Sequence, residues 1–215
     1  MTSRNPTTKI FEMLKQEIIT GKYPPLAPLN EEKLSLHYGV SRNTVKKALL
    51  MLEKENLVSI ELNKGAKVKS VSIDEVKEFL ELRMTLERFI VRKTVPVISG
   101  EDLAKMERIM EAMKQNIQKH DLLEYSKNNM DFHNIIYTAC PNRAAVEITT
   151  GLKVQLRRYN SKTILVPRRD VSSFKEHAAI LKAFKKRDVD KAEMLIEQHI
   201  LNVKKTLEEN ISLLF

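Results

Sequence analysis

Along the front third of the chain, apolar positions recur at helical spacing in short bursts separated by turn residues. In TTKIFEMLKQEIITG, Ile10, Met13, Leu14 and Ile18 share one helical face, and Gly21 stands where such a helix would stop. YPPLAP then reads as a rigid spacer. Asn30 is placed to cap a short helix, EEKLSLHY, which Gly39 ends. Ser41 caps a third helix whose Val45, Ala48, Leu49 and Leu52 recur at i, i+3, i+4 and i+7. LVSIELNKGAKVKSV follows, two β-prone runs around Asn-Lys-Gly, which signals a hairpin. Three helices and a hairpin in this order predict a winged helix over residues 1–73.

From SIDEV onward the period is helical almost to the end. It predicts helices over 74–95, 101–119, 121–139, 142–162, 173–187 and 189–212, with Pro96, Pro141 and Pro167 in or beside the breaks. Ser173 and Glu176 have capping-box spacing and mark the expected start of the fifth of these helices. The fold expected is mainly α: an N-terminal winged helix-turn-helix, then an all-α bundle of about six helices over 74–215.

Charge sharpens this division. The 215 residues carry a formal net charge of +9, and residues 1–73 alone hold 12 Lys/Arg against 7 Glu and no Asp. A basic excess concentrated in a winged helix points to a polyanion. Cys140 is the single cysteine, which excludes an intrachain disulfide and a thiolate zinc cluster. With no apolar run long enough for a signal peptide or a membrane span, a cytoplasmic protein with no membrane association is expected.

In SRNTVKKALLML the apolar stripe turns Asn43, Lys46 and Lys47 outward, with Arg42 flanking them near the helix N-terminus. A helix-turn-helix inserts such side chains into the major groove. Arg42 has the geometry for a guanine edge, and Ser41, Thr44, Lys46 and Lys47 suit phosphates or bases. Lys64 and Lys67, beside Gly65 in the wing, and Lys69 would reach the backbone next to the groove. The stretch LNEEKLSLHYGVSRNTVKKALLMLEKENLVSIELNKGAKV resembles the DNA-binding domain of GntR-type bacterial transcription regulators. The resemblance implies that Arg42 is the DNA-contacting arginine opening the recognition helix. Lys46 stands where the family usually has a second arginine and lacks its planar two-pronged contact. Ser35 replaces the usual Ala, and Asn56 the usual Gly.

The back of the chain concentrates histidines. His177 shares a stripe with Ile180, Leu181 and Phe184, and His199 one with Leu195, Ile196 and Val203. Each lies 11 residues from Asp188, so two antiparallel helices turning there carry both rings about 16 Å from the turn, at ~1.5 Å per residue. His133 sits at the edge of the face formed by Phe132, Ile136 and Ala139. Asp131 points away, and the residue one turn back on the histidine's own face is Asn129. Three convergent imidazoles are either hydrogen-bonded core residues or ligands to a divalent ion such as Zn²⁺ or Ni²⁺.

This half resembles the all-helical, FCD-type effector domain of the FadR-like branch of the same family. FLELRMTLERFIV matches its opening helix through Arg83 and Glu87, NNMDFHNIIYTACPN its Asp-x-x-x-His helix, and the final EH…H pair its last two helices. The resemblance implies a divalent metal held by an Asp and three His beneath a small carboxylate. Asn129 occupies the aspartate position here, so a ligand set of Asn129, His133, His177 and His199 carries no charge of its own. An anionic effector is then favoured as a remaining ligand, with Arg83, Arg157 and Arg158 as candidates to clamp its carboxylate.

Together these readings describe a homodimeric regulator of transcription, no enzyme, that binds operator DNA and answers a small organic acid, as most relatives of this type do by repression. One alternative is a sensor for which the metal itself is the signal. A metal-dependent hydrolase is disfavoured, because no His-Glu-x-x-His spacing supplies a general base and the winged helix would be left unexplained.

Overall fold

Local capping determines where the front helices begin and end. The computed structural model describes residues 5–62 and 64–210, the side chains of 157–162 excepted. In α1 (Pro6–Ile19), Ile10, Phe11, Leu14 and Ile18 are buried, while Met13 is exposed because the seam runs through 10, 11, 14 and 18. Asn30 Oδ1 accepts the Lys33 amide at 3.0 Å and starts α2 (Glu31–Tyr38), and Gly39 ends it at φ +63°, where a Cβ would be strained. Ser41 Oγ accepts the Thr44 amide at 3.1 Å and starts α3 (Arg42–Lys54). Val45, Ala48, Leu49 and Leu52 are the buried side of α3, and its packing against α1 and α2 closes the small core.

The wing has one strand more than its sequence suggests. Antiparallel β2 (Val58–Glu61) and β3 (Gly65–Val68) form the expected hairpin, and β1 (Pro28–Leu29) adds to the outer edge of β3, giving the order β1-β3-β2. The last residue of the YPPLAP spacer thus joins Leu29 in a short edge strand. Pro28 has no amide to donate and is tolerated there because an edge strand has one unpaired side. Contacts divide the chain into two compact units, residues 1–73 and 74–215.

The second unit is helical among its described residues: α4 (Ile73–Thr94), α5 (Gly100–Lys119), α6 (Leu122–Ala139), α7 (Arg143–Thr163), α8 (Arg169–Lys185) and α9 (Val189–Glu209). Its core brings together Ile90 and Val91 of α4, three methionines of α5, Phe132 and Ile136 of α6, and Ile180 and Phe184 of α8. Cys140 is buried in this core as a small packing group. No helix among the described residues is long and apolar enough to cross a membrane.

Helix α8 starts four residues before the expected position 173. The turn after Pro167 lets Arg168, at φ +66°, stand as the N-cap residue of α8, which therefore begins at Arg169. Ser173 then lies inside the helix, and the Glu176 carboxylate is free for tertiary partners instead of a capping box. At the other end, Arg187 takes φ +55° and Asp188 caps α9 by accepting the Lys191 amide at 3.0 Å. This turn sets α8 and α9 side by side.

Candidate functional site

On the first unit, burying the apolar stripe of α3 leaves Arg42, Asn43, Lys46 and Lys47 exposed together, with Thr44 half-buried. The Ser41 hydroxyl is occupied by its cap and by Thr44 Oγ1 at 2.9 Å. On the wing, Lys64 and Lys67 both pair with Glu61, so part of the positive charge near the exposed Gly65 is offset within the hairpin. Lys69 reaches Asn56 Oδ1 at 3.3 Å.

In the second unit His133 of α6, His177 of α8 and His199 of α9 converge. All three are buried, their ligand atoms lie within 4.8 Å of one another, and ring centroids are 4.7–5.3 Å apart. Their partners assign the tautomers. His177 Nδ1 lies 2.6 Å from the Ser173 carbonyl, which can only accept, so Nδ1 carries the proton and Nε2 a lone pair. His199 Nδ1 donates to Glu176 Oε2 at 2.6 Å and likewise turns its Nε2 lone pair inward. His133 Nε2 is 3.1 Å from His177 Nε2.

Glu176 holds this arrangement from outside. Arg169 grips it through two bonds of 2.9 and 3.0 Å, and Asn202 adds a third at 2.9 Å. Burial alone would raise the Glu176 carboxyl, but the His199 and Arg169 hydrogen bonds prevail and hold it at about 2. A second pair lies beneath His133: Arg83 donates to Glu87, both fully enclosed, and Glu87 Oε2 stands 3.8 Å from His133 Nδ1. Burial would raise Glu87 too, but the Arg83 and Lys153 charges keep it below its ordinary range. Lys153 of α7 donates to Tyr137 Oη at 3.1 Å, and burial lowers its ammonium to about 7.

Three buried polar atoms of α6, Tyr125 Oη, Asn129 Oδ1 and His133 Nδ1, lack hydrogen bonds of normal geometry. They recur at i, i+4 and i+8 on the inner stripe of α6. An orphaned amide oxygen one turn from a convergent histidine is what a fourth oxygen ligand would look like before its ion arrives, and three imidazoles with one such oxygen suit a borderline divalent metal. The residues fit the group.

Arg83 pairs with Glu87 at i+4, both buried, so an effector carboxylate would have to compete with Glu87 for the guanidinium. The side chains of Arg157 and Arg158 lie outside the described residues. Glu87, Glu176, Arg169, Tyr137 and Lys153 are not among the residues expected at the site. Glu87 carries a signal only as the i+4 partner of Arg83, and the spacing of Glu176 from Ser173 disguises it as a cap. An open groove of about 600 Å³ between α5 and α8, walled by Met110, Phe174 and Leu181, includes none of the three histidines.

Burying neutral histidines is expected to make this unit acid-sensitive. Burial pushes His177 down to about 3 from the ordinary 6.5, and His133 and His199 also fall. Below about pH 6.5 the unfolded chain therefore binds more protons, and stability falls with pH by up to about 1.4 kcal/mol per unit for each histidine kept neutral. Glu176 acts in the same direction: its contribution is present above 4.5 and is lost as pH falls toward 2. Urea midpoints of the metal-free protein are expected to drop from pH 7 to pH 5. A midpoint that stays level would mean the imidazoles are hydrated.

Residues 78–202 match the FCD domain family, and residues 6–68 match the bacterial regulatory proteins of the gntR family. The HTH-type transcriptional repressor RspR of Escherichia coli K12 is 24% identical over 97% of this chain and 93% of its own length. A gluconate operon transcriptional repressor of Bacillus licheniformis is 28% identical over 65% of this chain and 57% of its own. Among solved structures, E. coli McbR/YncC superposes with TM-score 0.80 at 21% identity, over 96% of this chain and 99% of that one. A transcriptional regulator from Rhodococcus sp. RHA1 gives 0.77 at 20% identity, over 94% and 97%. These two likenesses concern the fold.

Proposed function

This chain belongs to the GntR family of bacterial regulatory proteins, in the group carrying an FCD domain, and from that premise we propose how its DNA binding is controlled. It is a DNA-binding transcription regulator and not an enzyme. In our reading it is a cytoplasmic homodimer that represses from a two-fold operator, with Arg42 and its neighbours on α3 in the major groove and Lys64 and Lys67 beside the phosphates. The helical unit takes a small carboxylate effector next to a divalent metal, Zn²⁺ or Ni²⁺, held by His133, His177, His199 and Asn129. The metal would supply a Lewis-acid anchor for the carboxylate.

The observation that carries this reading is the inward convergence of three imidazoles, two with Nδ1 anchored, beside the orphaned Asn129 oxygen. By linkage, a ligand that prefers one state of the regulator must change its affinity for DNA. Elemental analysis of untagged protein purified without chelator is expected to find about one metal per chain, lost in His133→Ala and in His199→Ala. Operator binding should then weaken with small carboxylates only in the loaded parent. Retention of metal in both variants would overturn the ligand set. A DNA response to metal alone, with none to carboxylates, would make the ion the signal.

A further inference from the structure

Two Arg–Glu pairs approach the histidine centre from different helices, and they are in different states. Arg169–Glu176 is closed on His199, with a 2.6 Å bond to Nδ1. Arg83–Glu87 is open toward His133: Glu87 Oε2 stops 3.8 Å short of Nδ1, which has no hydrogen-bond partner. An ionised carboxylate enclosed beside an imidazole would close on an N–H. The gap leaves Nδ1 of His133 without a partner, as expected where a lone pair faces a carboxylate that Arg83 and the neighbouring Tyr137 hydroxyl already engage.

The opposite nitrogen agrees. His177 Nε2 is a lone pair, because its Nδ1 proton is given to the Ser173 carbonyl. His133 Nε2 lies 3.1 Å from it, a distance at which two lone pairs repel and an N–H···N bond is favourable. His133 is therefore the Nε2–H tautomer, hydrogen-bonded to the histidine beside which it would have to ligate. In that tautomer it cannot act as an Nε2 ligand.

We propose that Glu87 is a positioning residue that switches His133 into its ligating tautomer, closing the second Arg–Glu–His chain when the centre is loaded. This rests on the metal reading above. The imidazole is neutral before and after: one proton leaves Nε2 to water, one returns to Nδ1, and the freed Nε2 lone pair becomes the ligand. The new Nδ1–H donates to Glu87 Oε2, as Glu176 already receives from His199. A carboxylate behind an imidazole raises its basicity as a ligand. Glu87 and Glu176 thus place anionic groups behind two of the histidines in a centre whose Asn129 has none. Because the other oxygen of Glu87 holds Arg83, movement of this carboxylate ties the state of the centre to α4.

The test is ¹⁵N NMR of the histidine rings in the intact chain, without metal and with added Zn²⁺, beside calorimetric Zn²⁺ titrations of the parent, Glu87→Gln and Glu176→Gln. Without metal, His133 is expected as Nε2–H and His177 and His199 as Nδ1–H. With Zn²⁺ all three become Nδ1–H, and Glu87→Gln lowers Zn²⁺ affinity about 10–100-fold. Glu176→Gln should weaken affinity without changing the metal-free tautomer of His133. Zn²⁺ shifts at His177 and His199, with His133 already Nδ1–H beforehand or still Nε2–H afterwards, would overturn the switch alone. Parent-like Zn²⁺ affinity in folded Glu87→Gln would do the same. No Zn²⁺ response at any ring would remove the metal reading, and the switch with it. The parent spectra need no variant, so a misfolded Glu87→Gln leaves the proposal testable.

Discussion

If Arg42 reads a guanine in the proposed homodimer, Arg42→Ala is expected to lower operator affinity by roughly 30-fold to 10⁴-fold, since each bidentate arginine–guanine contact is worth about 1–3 kcal/mol and two half-sites make two. The side chain is exposed at the first turn of α3, and the Ser41 cap that orients this turn does not involve it. Its loss should leave the fold intact and flatten discrimination at one base position per half-site. Lys46→Ala and Lys47→Ala should behave differently. If they touch phosphate, affinity falls about equally on all sequences, and the salt slope drops by about one for each contact removed. Fluorescence anisotropy on oligonucleotides selected from a random library, at two salt concentrations, separates these outcomes. Unchanged selectivity in folded Arg42→Ala would show that another residue reads the bases.

Arg83→Met is expected to destabilise the helical unit by about 3–5 kcal/mol, the usual cost of leaving one charge of a buried pair without its partner. Arg83 and Glu87 are 3% and 1% exposed, so water cannot replace the guanidinium. Arg83→Met combined with Glu87→Leu should recover most of the loss, because two apolar groups leave no buried charge behind. Urea denaturation followed by far-ultraviolet circular dichroism measures both. A loss below about 1 kcal/mol in the single variant would mean that solvent reaches the pair, as it does exposed salt bridges. The same network bears on where a carboxylate could bind: it would have to compete with Glu87 for Arg83, whereas Lys153 donates to the uncharged Tyr137 hydroxyl.

Ser173 and Glu176 have the spacing of a capping box, and spacing cannot tell a helix start from a helix interior when the preceding turn tolerates a left-handed residue such as Arg168. Met13 fits the apolar pattern of α1 but faces water, since a narrow seam needs only the residues at 10, 11, 14 and 18. Strand β1 is two residues long and contains proline, too little for any periodicity to register.

What the sequence determined by itself is whatever rests on neighbours within a turn or two. The caps at Asn30 and Ser41, the left-handed glycine at 39, the stripe of α3 and the basic face opposite it all follow from residues at most four apart. Helical period alone also turned His133, His177 and His199 inward. The tertiary structure decided the rest: that the three rings meet, that Glu87 stands short of His133 while Glu176 closes on His199, and that Arg83 is spent on its own helix. These outcomes depend on ångström-scale offsets between helices distant in sequence, and a hydrogen bond is made or lost within 1 Å, far finer than any repeat of apolar residues can specify.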